Sequence, residues 1–124
     1  MQIWIDANII LRYLTNDDEE KATEAEKLIQ KKNVWVLAEV IAEVVYTLKG
    51  KVYQIPRNEI AEAITGFLDE VNVNNKNIIV HALKLFGDTS LDFVDCILIS
   101  YNQINDDEVI SWDKKLIKHL KPVQ

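Results

Sequence analysis

Short apolar runs alternate along the chain with longer segments in which apolar residues recur every three or four positions. The short runs predict four strands, at residues 2–5, 34–37, 71–73 and 108–111. The longer segments have the spacing of amphipathic helices. Because strands and helices alternate, the pattern predicts an α/β domain with a central, mostly parallel sheet of four to five strands, flanked by helices in an α/β/α sandwich.

Residues typical of helix ends mark several boundaries. Asn16, followed three places later by Glu19, resembles an N-cap with a capping box. Gly50 and Gly87 are expected to end the helices that precede them, and Pro56 is expected to begin one. These signals divide the chain into elements of ordinary length.

The composition supports one globular unit. With 124 residues and 48% hydrophobic residues, the chain can form one core, so we expect a single domain over residues 1–124. It has no apolar run long enough to cross a bilayer and no basic, hydrophobic leader, so we expect a cytoplasmic protein without a membrane partner. Its single cysteine, Cys96, is expected to be a small buried side chain.

The charge narrows the choice of partners without settling it. The chain has 14 basic and 20 acidic side chains and a formal net charge of -6. This balance argues against a protein that grips nucleic acid through a broad positive surface. It remains compatible with an enzyme that holds cations in a cluster of carboxylates.

Four carboxylates lie among apolar neighbours. Glu43 stands in residues 40–46, which are apolar on nearly every side, so it is predicted to be buried in a catalytic site or in a salt bridge to Arg12 or a lysine. Asp6 and Asp113 each follow a predicted strand, where α/β sheets form their sites; the alternative is that each caps the next helix. Asp95 borders the apolar stripe of its helix.

Four motifs carry a family resemblance: DANIIL from residue 6, AEVVYTL from residue 42, DFVDCIL from residue 92 and ISWDK from residue 110. Together they resemble the acidic motifs of PIN domains, and most closely those of the VapC-like toxins of prokaryotic toxin–antitoxin pairs. The motifs follow the family's order through the whole chain. Ala7 departs from the Thr or Ser that the family often has there, which removes one hydroxyl contact.

The resemblance implies an endoribonuclease in which metal-activated water hydrolyses RNA phosphodiester bonds. Its four catalytic, metal-binding acids would be Asp6, Glu43, Asp95 and Asp113. The side chains expected to orient them are Asn8, Asp92 and Ser111. Oxygen ligands favour Mg²⁺ or Mn²⁺, and neither histidine belongs to a zinc motif.

The resemblance also implies partners. These are an RNA substrate, a cognate VapB-like antitoxin protein and a second copy of the chain in a homodimer. RNA needs positive charge around the acidic site. The side chains that we expect to supply it are Lys49, Lys51, Arg57, Lys114 and Lys115, with Lys118 and Lys121 beyond them. The alternative for each lysine is an ordinary solvated position on a helix face.

Two other classes compete with the nuclease. One is a catalytically inactive PIN-like or receiver-like module that binds protein or RNA. The other is a haloacid-dehalogenase-like phosphatase, which would need a second aspartate where this chain has Asn8. The three glycines form neither a phosphate-binding loop nor a dinucleotide fingerprint. The nuclease remains the leading hypothesis.

Overall fold

The computed structural model describes residues 1–122, which form three strands and seven helices around one core. In chain order the elements are β1 (Ile3–Trp4), α1 (Ala7–Thr15), α2 (Glu19–Ile29), β2 (Val34–Val36), α3 (Ala38–Lys49), α4 (Arg57–Leu68), β3 (Asn72–Val73), α5 (Lys76–Asp88), α6 (Phe93–Asn105) and α7 (Lys114–Ile117). None of the helices in this range is both long and apolar enough to span a bilayer.

The sheet is parallel throughout, in the order β1-β2-β3. Ile3 lies opposite Val34 in the first pair, and Val36 opposite Val73 in the second. Parallel neighbours cannot be joined by a hairpin, so α1 and α2 return the chain from β1 to β2, and α3 and α4 return it from β2 to β3. The α/β class is confirmed, and all three strands end at one edge of the sheet.

The number of strands differs from the prediction of four to five. Within the described part of the chain, residues 108–111 pair with no strand, and β1 remains an outer strand of the sheet. Only Val109 of this segment packs against the core, whereas Ile110 is 83% exposed. The predicted fourth strand is therefore wrong, because two adjacent apolar residues cannot fix a strand that has no apolar surface to cover.

Two helix ends also differ from their prediction. Asp18, and not Asn16, caps α2, because its Oδ1 accepts a hydrogen bond from the backbone N–H of Lys21 at 3.1 Å. Asn16 instead ends α1 in the left-handed conformation, with φ of 53°, which asparagine tolerates better than most residues. Gly50 ends α3 as expected, but α5 runs through Gly87 to Asp88.

The helices pack around the sheet in a continuous series. Helix α5 packs against α4 and α6, while α3 contacts α1, α4 and α6. Phe86 and Phe93 meet edge to face, with ring centroids 6.0 Å apart. This core fixes the first turn of α6, because Phe93 is its first residue.

Amide side chains on α6 hold the C-terminal segment. The Gln103 amide donates to the carbonyl of His119 at 2.8 Å, and its Oε1 is 2.8 Å from Nε2 of His81. Asn102 donates to the carbonyl of Asp107 and accepts from the backbone N–H of Lys121. Since the bonded backbone lies on both sides of α7, α6 positions the start of that helix.

Gly87 permits the close approach of α4 and α5. A Cβ atom at this position would lie 3.0 Å from the Cβ of Ala61 and 3.5 Å from the Cα of Asn58. In contrast, a Cβ at Gly66 would meet no heavy atom within 4 Å. Gly87 is therefore a packing residue within a helix, and not the helix end that its sequence position predicted.

We expect Gly87→Val to lower the free energy of unfolding by about 1 to 3 kcal/mol, because its methyl groups would be forced against α4. The matched control is Gly66→Ala, which should raise the free energy of unfolding by roughly 0.5 to 1 kcal/mol through helix propensity. Urea denaturation measures both. Unchanged stability in Gly87→Val would show that the helices can separate without cost.

Candidate active site

Asp6 stands at the carboxyl end of β1 and caps α1. Its backbone is extended, and its Oδ1 accepts a hydrogen bond from the N–H of Ile9 at 3.2 Å. The side chain is exposed, and Asn8 beside it is exposed as well. The capping alternative therefore holds for Asp6, and its solvent-facing carboxylate stands where the neighbouring parallel strands also end.

Asp113 has a similar place at the start of α7. Its Oδ1 accepts from the backbone N–H of Lys115 at 2.9 Å and more weakly from that of Leu116 at 3.4 Å. Ser111 Oγ accepts from the backbone N–H of Asp113 at 3.0 Å, which fixes the turn before the helix. Asp113 thus caps its helix, and Ser111 holds its backbone.

Asp95 lies in the first turn of α6 and is half-buried. Desolvation raises the pKa of its carboxyl, and the negative charges of Asp92 and Asp113 raise it further. Asp92 is the N-cap residue of α6 but makes no side-chain capping bond. The structure therefore brings these three carboxylates into one electrostatic neighbourhood, in which the charges of Asp92 and Asp113 oppose the ionisation of Asp95.

Glu43 is exposed, so the prediction that it is buried is wrong. The buried residues of α3 are Ile41, Val44, Val45 and Leu48. Glu39, Glu43 and Tyr46 form the exposed face at helical spacing, which the apolar neighbours of Glu43 obscured in the sequence. A salt bridge to Arg12 is not formed either, because Arg12 pairs with Asp17 at 3.1 Å. Helix α3 nevertheless contacts α1 and α6, which begin beside Asp6 and Asp92.

The side chains do not form a closed metal site. Within residues 1–122, no three Asp, Glu, His or Cys side chains group closely enough to hold an ion. The donor chemistry does fit a divalent cation, because the oxygen ligands are those that Mg²⁺ and Mn²⁺ prefer and Asp95 lies in an excess of negative charge. The candidate ligands thus have the chemistry that such a cation needs. To bind it, their side chains would have to move closer to one another.

Arg57 clamps the connection between α5 and α6. Its Nε donates to the carbonyl of Phe86 at 2.8 Å, its Nη2 donates to the carbonyl of Leu91, and its Cζ lies 3.8 Å from the ring centroid of Phe86. Desolvation lowers the pKa of the guanidinium, and the negative charge of Asp92 opposes that change. Sequence reasoning missed this role, because the bonded carbonyls are 29 and 34 residues away.

The lysines predicted to bind RNA are all exposed: Lys49, Lys51, Lys114 and Lys115. Lys115 Nζ donates to the carbonyl of Ser90 at 3.1 Å, and so ties α7 to the segment that leads into α6. Buried Cys96 has its pKa raised to about 11, chiefly by desolvation. Its thiol is therefore protonated and unreactive near neutral pH, as expected of a small buried side chain.

The fold and the acidic residues define an α/β domain whose candidate site lies at the carboxyl edge of a parallel sheet and at the starts of the adjoining helices. The sequence model of the PIN domain matches residues 3–121, so the chain belongs to the PIN domain family. PIN domains are typically nucleases and generally depend on divalent metal ions. No curated protein and no solved structure matches the chain.

We expect Arg57→Lys to lower the free energy of unfolding by about 2 kcal/mol, because an ammonium group cannot donate to two carbonyls in the guanidinium's planar geometry. The control is Lys84→Ala, an exposed change on α5 that should stay within roughly 0.5 kcal/mol of the parent. Chemical denaturation measures both. Equal stability of Arg57→Lys would mean that the clamp contributes little.

A second prediction follows from the raised pKa of Asp95. A carboxyl whose folded pKa lies above its unfolded value favours folding less when it is ionised, so Asp95 lowers stability at neutral pH. Asp95→Asn should therefore raise the melting temperature at pH 7 in chelator. The gain should shrink as the pH falls through the raised pKa and be absent below 3.8, the ordinary pKa of an aspartate carboxyl. A lower melting temperature at pH 7 would contradict the assigned repulsion.

Proposed function

We propose that this PIN domain is a Mg²⁺- or Mn²⁺-dependent endoribonuclease of the VapC-like toxin type. It would hydrolyse RNA phosphodiester bonds at a site formed by Asp6, Glu43, Asp95 and Asp113. The observation that carries the proposal is the environment of Asp95, a half-buried carboxylate whose pKa is raised first by desolvation and then by the charges of Asp92 and Asp113. The family match over residues 3–121 supports the reaction class.

Desolvation and the charges of Asp92 and Asp113 disfavour the ionised carboxylate of Asp95 unless a cation offsets them. This favours a functional role for Asp95 over a structural one. An ordinary surface aspartate has solvent on most sides and needs no such compensation. Here Asp92 leaves its carboxylate out of the helix cap, and Asp113 uses the same Oδ1 for both capping bonds. Both aspartates therefore keep oxygen atoms that are not used in holding their helices.

The four acids divide between two roles in the proposed reaction. Asp6, Asp95 and Asp113 would hold the cation, which when bound supplies an activated water and offsets the charge of the phosphate. Glu43, on the exposed face of α3, would orient the attacking water and accept its proton. Asn8, Asp92 and Ser111 would keep these carboxylates in place; the bond between Ser111 and the backbone of Asp113 is the example that the structure contains.

The lysines at two helix ends would guide RNA to the site. Lys49 ends α3 and Lys51 follows it, while Lys114 and Lys115 begin α7 next to Asp113. They supply local positive charge in a chain whose net charge is -6. Because Arg57 already donates to two backbone carbonyls, the lysines are better placed than Arg57 to bind phosphate.

The toxin assignment adds a cellular setting. We propose that the protein acts in the cytoplasm, assembles as a homodimer and is neutralised by a VapB-like antitoxin that covers the acidic site. Support for these three points is limited to the resemblance of the four acidic motifs to those of VapC-like toxins. Expression of the chain alone is therefore expected to slow growth, and Asp95→Asn should relieve that effect.

A catalytically inactive PIN-like module that binds protein or RNA is the second candidate. The observation in its favour is that no three candidate ligands form a compact group within the described residues. A receiver-like module would instead be phosphorylated on Asp6. Both alternatives make the same prediction, that RNA stays intact when the purified chain is given Mg²⁺ or Mn²⁺.

The direct test is cleavage of RNA by the purified chain. We expect cleavage with Mn²⁺ or Mg²⁺ that Asp95→Asn slows roughly 100-fold or more, since even groups that only support a metal ligand contribute about 10- to 100-fold. The control is Asp69→Asn, an exposed change that precedes β3 and thus lies toward the opposite edge of the sheet. Equal cleavage by Asp95→Asn and the parent would remove the basis for the proposal.

Metal binding provides an independent measurement. Titration with Mn²⁺, with binding measured by calorimetry or paramagnetic resonance, should show an affinity that Asp6→Asn weakens and Asp69→Asn leaves unchanged. Excess chelator should stop cleavage, and added Mn²⁺ should restore it. If the parent chain binds no Mn²⁺, the inactive module becomes the better description.

A further inference from the structure

Among residues 1–122, Trp112 is the most exposed large hydrophobic side chain after the N-terminal methionine, at 96%. Ile110, two residues earlier, is 83% exposed. A tryptophan has a large apolar ring system, and globular proteins usually cover it at least in part. An indole that stands almost entirely in solvent, beside a candidate catalytic aspartate, calls for a ligand that covers it.

The backbone at Trp112 is held on both sides, so the exposure does not arise from a loosely attached loop. The residue before it, Ser111, accepts the N–H of Asp113 at 3.0 Å. The residue after it, Asp113, caps α7 through the N–H of Lys115 at 2.9 Å. Beyond α7, the carbonyl of His119 is bonded to Gln103 at 2.8 Å. The structure therefore presents the indole from a fixed position.

Exposed acidic residues, Asp106 to Glu108, precede the indole, whereas the charges that follow Asp113 on α7 are of the kind that suits a nucleic acid. Lys114, Lys115 and Lys118 follow within six residues, and all three are exposed. Neither Lys114 nor Lys118 forms a salt bridge in the described part of the chain, and Lys115 bonds a carbonyl. An exposed aromatic ring next to lysines is the combination that proteins use to bind single strands, with bases stacked on the ring and phosphates near the cations.

Trp112 is also directly connected to the candidate active site. It precedes Asp113, whose charge contributes to the raised pKa of Asp95. A base stacked on the indole would therefore belong to a nucleotide close to the phosphate at the acidic residues. Paired bases are already stacked within a helix, so this surface would favour unpaired ones.

We propose that Trp112 is a stacking platform for an unpaired RNA base next to the scissile phosphate, with Lys114 and Lys118 contacting the neighbouring phosphates. This inference rests on the proposed function and narrows its substrate to single-stranded RNA or unpaired loops. The charges favour RNA over an apolar protein segment, because the side chains that follow Trp112 are an aspartate and two lysines.

The experiment measures RNA binding without cleavage. Fluorescence anisotropy in chelator gives the affinity of the Asp95→Asn chain for a 12-nucleotide RNA of mixed sequence, as a single strand and as a duplex. Trp112→Ala is expected to weaken single-strand binding roughly 5- to 150-fold, the range for loss of one stacked base. Trp112→Phe should recover most of that loss, and duplex binding should change little.

The matched control is Trp4→Ala, which removes another exposed indole. Trp4 is 48% exposed and lies on β1 against Trp35, with ring centroids 5.9 Å apart. It should leave single-strand affinity within twofold of the parent. Because Trp112 contributes little to the core, Trp112→Ala should keep the parent's melting temperature, which separates loss of binding from loss of folding.

Several outcomes would overturn the inference. Unchanged single-strand affinity in Trp112→Ala would do so, as would an equal loss of duplex affinity, which would indicate charge and not stacking. If Trp112→Ala lost binding to an antitoxin peptide but kept its RNA affinity, the indole would be assigned to a protein partner instead. RNA cleavage that requires Asp95 but not Trp112 would refute this inference alone. Conversely, Trp112-dependent binding by a chain that cuts no RNA would support base stacking on Trp112 but refute the nuclease, and with it the place of that base next to a scissile phosphate.

Discussion

Parallel pairing of three very short strands is the constraint on which the rest of the structure depends. The strands contain two, three and two residues, so they supply few ladder hydrogen bonds of their own. Because they run in one direction, the chain must return through helices, and these helices supply most of the core. The same direction delivers the residues after β1 and β2 to one edge, where Asp6 caps α1 and α3 begins. Fold stability and site position are therefore consequences of one topology.

The candidate acids differ in how far each one serves the local structure. Asp6 and Asp113 each use Oδ1 to cap a helix, so part of each carboxylate stabilises the local backbone. Asp95 is different, because its half-buried charge is opposed by Asp92 and Asp113. Such a residue reduces the stability of the folded chain at neutral pH, and enzymes commonly retain groups of this kind because the reaction needs them. Arg57 offsets part of this loss of stability by fixing the backbone that leads into α6.

The sequence predicted the features that depend on local pattern. The three parallel strands, the helix that begins after Pro56 and the end of α3 at Gly50 follow from apolar spacing and from residues with restricted or permissive backbones. The failures have a shared cause, which is that local pattern does not show what covers a residue. Residues 108–111 have the composition of a strand but no neighbour, and Glu43 has apolar neighbours in sequence but solvent around it in space. The clamp formed by Arg57 depends on distant carbonyls and leaves no local signal.

The unpaired outer edge of β1 has a consequence for behaviour at high concentration. Edge strands offer free backbone groups with which another chain can pair, and long, flat, apolar edges are common starting points for aggregation. Here the strand is only two residues long, Ile3 and Trp4, and its bulky indole is about half-exposed. An incoming strand would form too few hydrogen bonds with β1 to be held there. The short strand that makes the sheet depend on its helices therefore also protects the protein against aggregation through this strand.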